Sequence, residues 1–150
     1  MLLLGAMMLG VMKKKLNTYE TSAAVVATLA QARYAVAVAA RLERPLLLIT
    51  APGAQASHGP GYLLEMMRQA GAARAVIDCG GDAGTAMLAL RLGWRELHLS
   101  GHDDTVARVA AMTTALGGVF HAVLPAALDL SGPGPVDEPL AAWLAGDGSN

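Results

Sequence analysis

The apolar and polar positions fall into blocks of two different periods. From Ala23 to Leu42 the chain is rich in Ala, Val and Leu, without Gly or Pro, and broken only by Gln31, Arg33 and Tyr34. That pattern predicts one long helix, capped by Thr21 or Ser22 with Glu20 just ahead. Its length approaches a membrane span, but Gln31 and Arg33 near its middle are costly in lipid. A helix buried against a sheet or a partner is expected instead. Pro45 then precedes Leu46–Leu47–Leu48–Ile49–Thr50, a continuous apolar run that reads as a strand covered on both faces. Residues 51–61 read as a loop, and Pro60 suits the first turn of the next helix. In that helix Leu63, Met66, Met67 and Ala70 share one face, Glu65, Arg68 and Gln69 lie on the other, and Gly71 closes it.

The same alternation continues. Residues 75–79 read as a second strand, and Gly80–Gly84 turns into a helix through Met87 and Leu90 that Gly93 ends. Residues 95–100 form a third strand, and a turn at 101–104 starts a helix carrying Val106, Val109, Ala110 and Thr113. Gly117–Gly118 stops that helix before a fourth strand at 120–125. Each connection is long enough for a helix, so the rhythm predicts a single small α/β domain of about four parallel strands with right-handed crossovers. The third strand puts Leu97 and Leu99 on one face and Glu96, His98 and Ser100 on the other, which suits an edge; the first, apolar throughout, suits the middle. A 3-2-1-4 order of these four strands satisfies both. A 2-1-3-4 order, or a sequential one as in a fragment of a barrel, remains open.

The α/β domain is expected over residues 20–130. Residues 131–150 read as a Gly/Pro linker, a short helix around Leu140–Trp143–Leu144 and a polar tail. Residues 1–19 stand apart as an extension. Met1–Met12 is too short to span about 30 Å of hydrocarbon, and Lys13–Lys15 follow the apolar run where a secretory signal has its charge first. The segment reads as an upstream extension with the start at Met12, as a short interfacial anchor, or as a partner-binding or core-packing helix.

Composition narrows the function classes. Of 150 residues 54% are hydrophobic and 15% charged, which excludes global disorder. Net charge is −1 and no basic stripe extends beyond Lys13–Lys15, so no nucleic-acid partner is expected. The lone Cys79 excludes an internal disulfide and points to a reducing, cytoplasmic setting.

Ligands of open parallel sheets bind outside the carboxyl ends of the strands, and the polar residues collect there. The first strand leads to Thr50, Gln55, Ser57 and His58, the second to Asp78, Cys79 and Asp82, and the third to Ser100, Gly101, His102, Asp103 and Asp104. The opposite edge offers mainly Arg44, Arg74, Arg95 and His121. Asp82 and Asp103 each follow glycine and precede Thr at a helix start, where an Asp caps free N–H groups. The same positions can form an anion site, although capping carboxylates repel phosphate and no nucleotide fingerprint is present. Asp78, Cys79 and His102 are the candidates for catalysis: a histidine-activated thiolate or a carboxylate base. His58, Asp82, Ser100, Gly101 and Asp103 are the candidates for ligand contact. No metal-ligand spacing appears, and nothing names a cofactor or says whether the protein is an enzyme. The expected function is binding of a small molecule, an anion among the candidates, at the carboxyl edge. The alternative is a homodimer or other interaction module using the apolar helix 22–42.

Overall fold

The computed structural model describes residues 21–133 and 137–146. The readings of Met1–Met12 and Lys13–Lys15 lie outside these residues. In chain order the elements are β1 (Ser22–Val26), α1 (Leu29–Arg41), β2 (Leu46–Thr50), α2 (Ala54–Ser57), α3 (Pro60–Ala70), β3 (Arg74–Asp78), α4 (Ala83–Leu92), β4 (Glu96–His98), α5 (Asp103–Ala115), β5 (Val119–His121), β6 (Ala127–Asp129) and α6 (Asp137–Ala145). The α/β class with one parallel sheet is as the sequence predicts. The described residues hold six strands in the order β5-β4-β3-β2-β1-β6, every neighbouring pair parallel.

Two sequence expectations are corrected. Residues 22–42 are not one helix. Ser22–Val26 is a strand between β2 and β6, and the helix begins only after Thr28. There the Thr28 side chain accepts from the Gln31 N–H (3.1 Å), while Gln31 Oε1 accepts from the N–H groups of Thr28 (3.1 Å) and Ala27 (2.8 Å). This reciprocal cap fixes the helix start. Upstream of it, sheet pairing overrides the helical preference of the alanines. The strand order is the second correction. The four strands foreseen are sequential, the alternative left open beside the favoured 3-2-1-4. Strand β4 is not at the edge, because its polar side chains find partners within the sheet.

Sequential order with right-handed crossovers sends every helix to one face. The structure bears this out: α1, α3, α4, α5 and α6 supply Ala35, Leu63, Ala89, Val109 and Leu140 to a single core with Ala24, Leu48, Ile77 and Leu97 from the strands. Trp94 is buried in the same layer and donates its indole N–H to the Pro60 carbonyl (2.8 Å). The C-terminal helix belongs to this core through Leu140 and Leu144, and Trp143 donates to the Ala23 carbonyl (3.0 Å).

The alternate strand residues form a second, smaller cluster on the helix-free face: Ala23, Leu47, Ile49 and Val76, with Leu124 packed on it. Leu124 lies in the connection from β5 to β6, which joins opposite edges of the sheet. From His121 to Ala127 the chain reaches at most about 22 Å. Five strand spacings in a flat sheet amount to about 24 Å, before the chain also returns to the starting end of a parallel strand. The sheet is therefore curled toward its helix-free face, and the connection crosses that concavity.

Two backbone positions matter to this geometry. Glu43 takes a left-handed conformation (φ 52°) in the turn after α1, where glycine is usual. At Gly118 a Cβ would lie 2.2 Å from the Arg95 carbonyl oxygen and 3.0 Å from Thr113 Cγ2. Substitution Gly118→Ala is expected to destabilise the protein by about 3 kcal/mol, the upper end for an overpacked site. Urea unfolding measures this, and a loss below about 0.5 kcal/mol, the range of neutral surface changes, contradicts the close approach of the chain entering β5 to that entering β4.

Candidate functional site

The carboxyl edge brings together the loops that follow β2, β3 and β4, and hydrogen bonds tie them. Thr50 is fully buried and its hydroxyl accepts the Asp78 N–H (3.0 Å), extending the β2–β3 ladder by a side chain. Asp78 in turn accepts the Gly80 N–H (2.9 Å). The Gly80 carbonyl accepts both the Ser100 N–H (2.7 Å) and the Ser100 hydroxyl (3.0 Å). Of the candidates read from the sequence, Asp78 and Ser100 thus meet at the Gly80 loop, and their polar atoms hold that loop in shape.

Cys79 stands between them but points into the core. It is fully buried, and burial pushes its thiol up to about 12, with the charges of Asp78 and Asp82 adding to the shift. A nucleophilic cysteine needs the opposite environment, one that lowers the thiol pKa. Asp82 caps α4: it accepts the Thr85 N–H (3.0 Å) and the Thr85 hydroxyl (2.8 Å), bonds that hold its carboxyl below the ordinary value.

The remaining candidates are exposed. His58 stacks on Tyr62, ring centroids 5.1 Å apart, at the end of α2. His102 occupies the N-cap position of α5 without a side-chain cap bond, and Asp103 is the first residue of that helix rather than its cap. Gly101, between Ser100 and His102, has φ 128°.

One residue of this edge has an unmet need. The Gln55 amide sits over the Gly80 loop, its Nε2 3.4 Å from where a Gly80 Cβ would be. Its Oε1 is buried and has no hydrogen-bond partner. A buried acceptor left unpaired is rare and costs about 1–3 kcal/mol. The loops around it (residues 51–59, 79–82 and 99–104) contain Asp82, Asp103 and Asp104 and no Lys or Arg. Among the described residues no group of three or more His, Cys, Asp or Glu side chains is placed to hold a metal ion.

A second polar cluster lies on the helix-free face. Arg74 forms a two-point contact with Glu96 (Nη2–Oε1 2.7 Å, Nε–Oε2 3.0 Å), and His121 Nε2 lies 3.1 Å from the same carboxylate. The His98 ring nitrogen Nδ1 is 2.7 Å from the His121 carbonyl oxygen. Sequence reading noted the polar side of β4 but did not pair it. The signal was the matching parity of Arg74 on β3 and His121 on β5. Burial pushes the Glu96 carboxyl up, but the hydrogen bonds and charges of Arg74 and His121 outweigh it and hold it below the ordinary value.

A carboxyl lowered in the folded state adds stability above its unfolded pKa, near 4.3, and loses it as pH falls through the folded value. Glu96 is 12% exposed but Arg74 is 43% exposed, so solvent screens the pair. Glu96→Gln is expected to lower stability by about 1 kcal/mol at pH 7. In urea unfolding that difference shrinks toward zero at about pH 3, below the ordinary carboxylate range. An equal difference at both pH values contradicts the charge-based account. No protein-family model matches the chain and no curated protein matches its sequence, so the reading of the site rests on its geometry.

Proposed function

We propose that the carboxyl edge binds a small polar molecule that donates a hydrogen bond to Gln55 Oε1. The orphaned carbonyl carries this reading, because a ligand donor is what completes it. Gly80 beneath the amide and Gly53 at the start of α2 leave room for close approach. His58, His102, Ser100 and Asp103 are exposed on the loops of the same edge and are the proposed further contacts. The surrounding carboxylates and the lack of Lys or Arg in these loops favour a neutral or cationic ligand over an anionic one. Binding rather than catalysis fits the candidates best: the Cys79 thiol stays protonated, and one Asp78 oxygen is engaged by backbone. The single cysteine supports a reducing, cytoplasmic setting.

A second reading, association with another copy, needs a different surface from the one foreseen. The apolar face of α1, with Ala32, Ala35, Val38 and Ala39, is buried within the chain. Exposed apolar side chains lie instead on the neighbouring helices α4 (Met87, Leu88, Leu92) and α5 (Met112), and at Leu116 just after α5.

The discriminating experiment is a thermal-shift titration with ribose, adenosine, ethanolamine and spermidine, against inorganic phosphate and citrate. At a hundredfold excess over Kd a specific ligand adds about 2.7 kcal/mol, a rise of several degrees at this size. A neutral or cationic compound is expected to give this rise and phosphate none. Gln55→Met is expected to abolish the rise while raising the unliganded Tm, since it removes an unpaired buried acceptor. A response to the anions alone, or one retained in full by Gln55→Met, contradicts the proposal.

A further inference from the structure

Gln55 Oε1 is buried, so a ligand that donates to it has to be let in. Two segments meet at that atom: residues 52–59, which carry it, and the Gly80 loop beneath. They are held very differently. The Thr50 hydroxyl accepts from Asp78, the Asp78 carboxylate accepts from Gly80, and the Gly80 carbonyl accepts twice from Ser100. That loop is tied across three strands. Residues 52–59 make only local hydrogen bonds. The Ala54 N–H donates to Ala51 (3.1 Å), the Ala56 and Ser57 N–H groups to Gly53 (3.1 and 3.3 Å), the Ser57 hydroxyl to Gly53 (3.2 Å) and the His58 N–H to Ala54 (2.9 Å). Among the described residues, none of their hydrogen bonds reaches the loops after β3 and β4. Packing holds the segment as slightly. Ala54 alone enters the main core, while Pro52, Ala56, Ser57 and His58 are exposed. Burying one methyl returns less than an unpaired buried carbonyl costs.

The segment is pinned just outside both ends. The Ala51 N–H donates to the Val26 carbonyl (3.1 Å), and the Pro60 carbonyl accepts from the Trp94 indole (2.8 Å). Inside each pin stands a glycine at φ 81°. Gly53 is left-handed, and Gly59, with ψ 156°, lies in a region that essentially only glycine enters. Nothing lies within 4 Å of where a Cβ would be at either position, so rotation there is unobstructed. We infer that residues 52–59 are a lid, which swings about Gly53 and Gly59 away from the fixed Gly80 loop and so exposes Gln55 Oε1 while the rest of the fold stays closed. The inference rests on the reading of that oxygen as the ligand's acceptor, and it assigns the moving part. The unpaired carbonyl favours the open form, and a ligand donor that pairs with it favours the closed one.

Thiol labelling of the full chain tests this, because the lone Cys79 is a built-in reference. It is fully buried beside Gly80 and reacts only when the body of the fold opens. Ala54→Cys places a second thiol at the buried position of the segment. With a chromogenic disulfide reagent under native conditions, the thiol at position 54 is expected to react at least about a hundredfold faster than Cys79, at a rate that low urea leaves unchanged. Adding Gln55→Met is expected to slow position 54 by about tenfold, since it removes the unpaired acceptor from the closed form. Hydrogen exchange of the unaltered protein reads the same opening without a new side chain. A single turn cut loose does not keep its hydrogen bonds, so the Ala56, Ser57 and His58 amides exchange ahead of those of Leu48 and Ile77 and independently of low urea. The inference is overturned if position 54 reacts no faster than Cys79, if both thiols share one urea dependence, or if Gln55→Met leaves the rate unchanged. Rapid labelling that ribose, adenosine, ethanolamine and spermidine all fail to slow upholds the lid and tells against the ligand reading. A thermal shift from one of them, with position 54 as slow as Cys79, does the reverse.

Discussion

Every strand-to-strand connection from β1 to β5 steps to the adjacent strand in the same direction, and this constraint shapes the molecule. Right-handed crossovers taken repeatedly in one direction stack all the helices on one face. The main core then lies between that helix layer and one side of the sheet, and it is aliphatic, with Trp94 as its large aromatic filler. The other side of the sheet needs a different solution. Here the sheet curls, and the short β5–β6 connection crosses the concavity with Leu124 against Ala23, Leu47, Ile49 and Val76. Toward β4 and β5 the same face becomes polar, and Glu96 is paired with Arg74 and His121 in place of hydrophobic contacts.

The two ends of the sheet differ in chemistry because parallel strands point the same way. At the carboxyl ends the loops carry aspartates and glycines, much of it spent on holding those loops together: Asp78 on Gly80, Ser100 on Gly80, Asp82 on its own helix. What remains over is the Gln55 carbonyl. At the amino ends helices finish and strands begin, Arg44 stands just before β2, Arg74 opens β3, and small side chains leave an apolar cavity. The distinction follows from charge and packing at each end.

Much of the architecture was legible in the sequence. Continuous apolar strands, glycine-terminated helices and the crossover rhythm gave the α/β class, and Pro60 and Gly71 marked the ends of α3 as found. Residues 22–26 were misread because Ala and Val there satisfy a helical pattern as well as a strand. The boundary signal, Thr28 with Gln31 three residues later, is short and lies within an otherwise uniform run. The 3-2-1-4 order was favoured over the sequential one because a half-polar strand suits solvent, whereas Glu96 finds Arg74 and His121 on neighbouring strands. Strand β6 is only three residues long, and its pairing with β1 depends on a chain reversal that no local pattern announces. At the carboxyl edge the residue types were readable, but which polar atom is left unpaired depends on three loops meeting. Gln55 stands out only once Gly80 is beneath it.

The central claim is that the segment 22–26 is an inner strand of a sequential parallel sheet. Nuclear magnetic resonance tests it directly through secondary chemical shifts and inter-strand contacts. The account predicts extended-strand shifts for Ser22–Val26, helical shifts beginning at Leu29, and backbone contacts from Ala24 to both Leu48 and Leu128. Helical shifts running unbroken from residue 22 to residue 42, without contacts to Leu48 or Leu128, would contradict it.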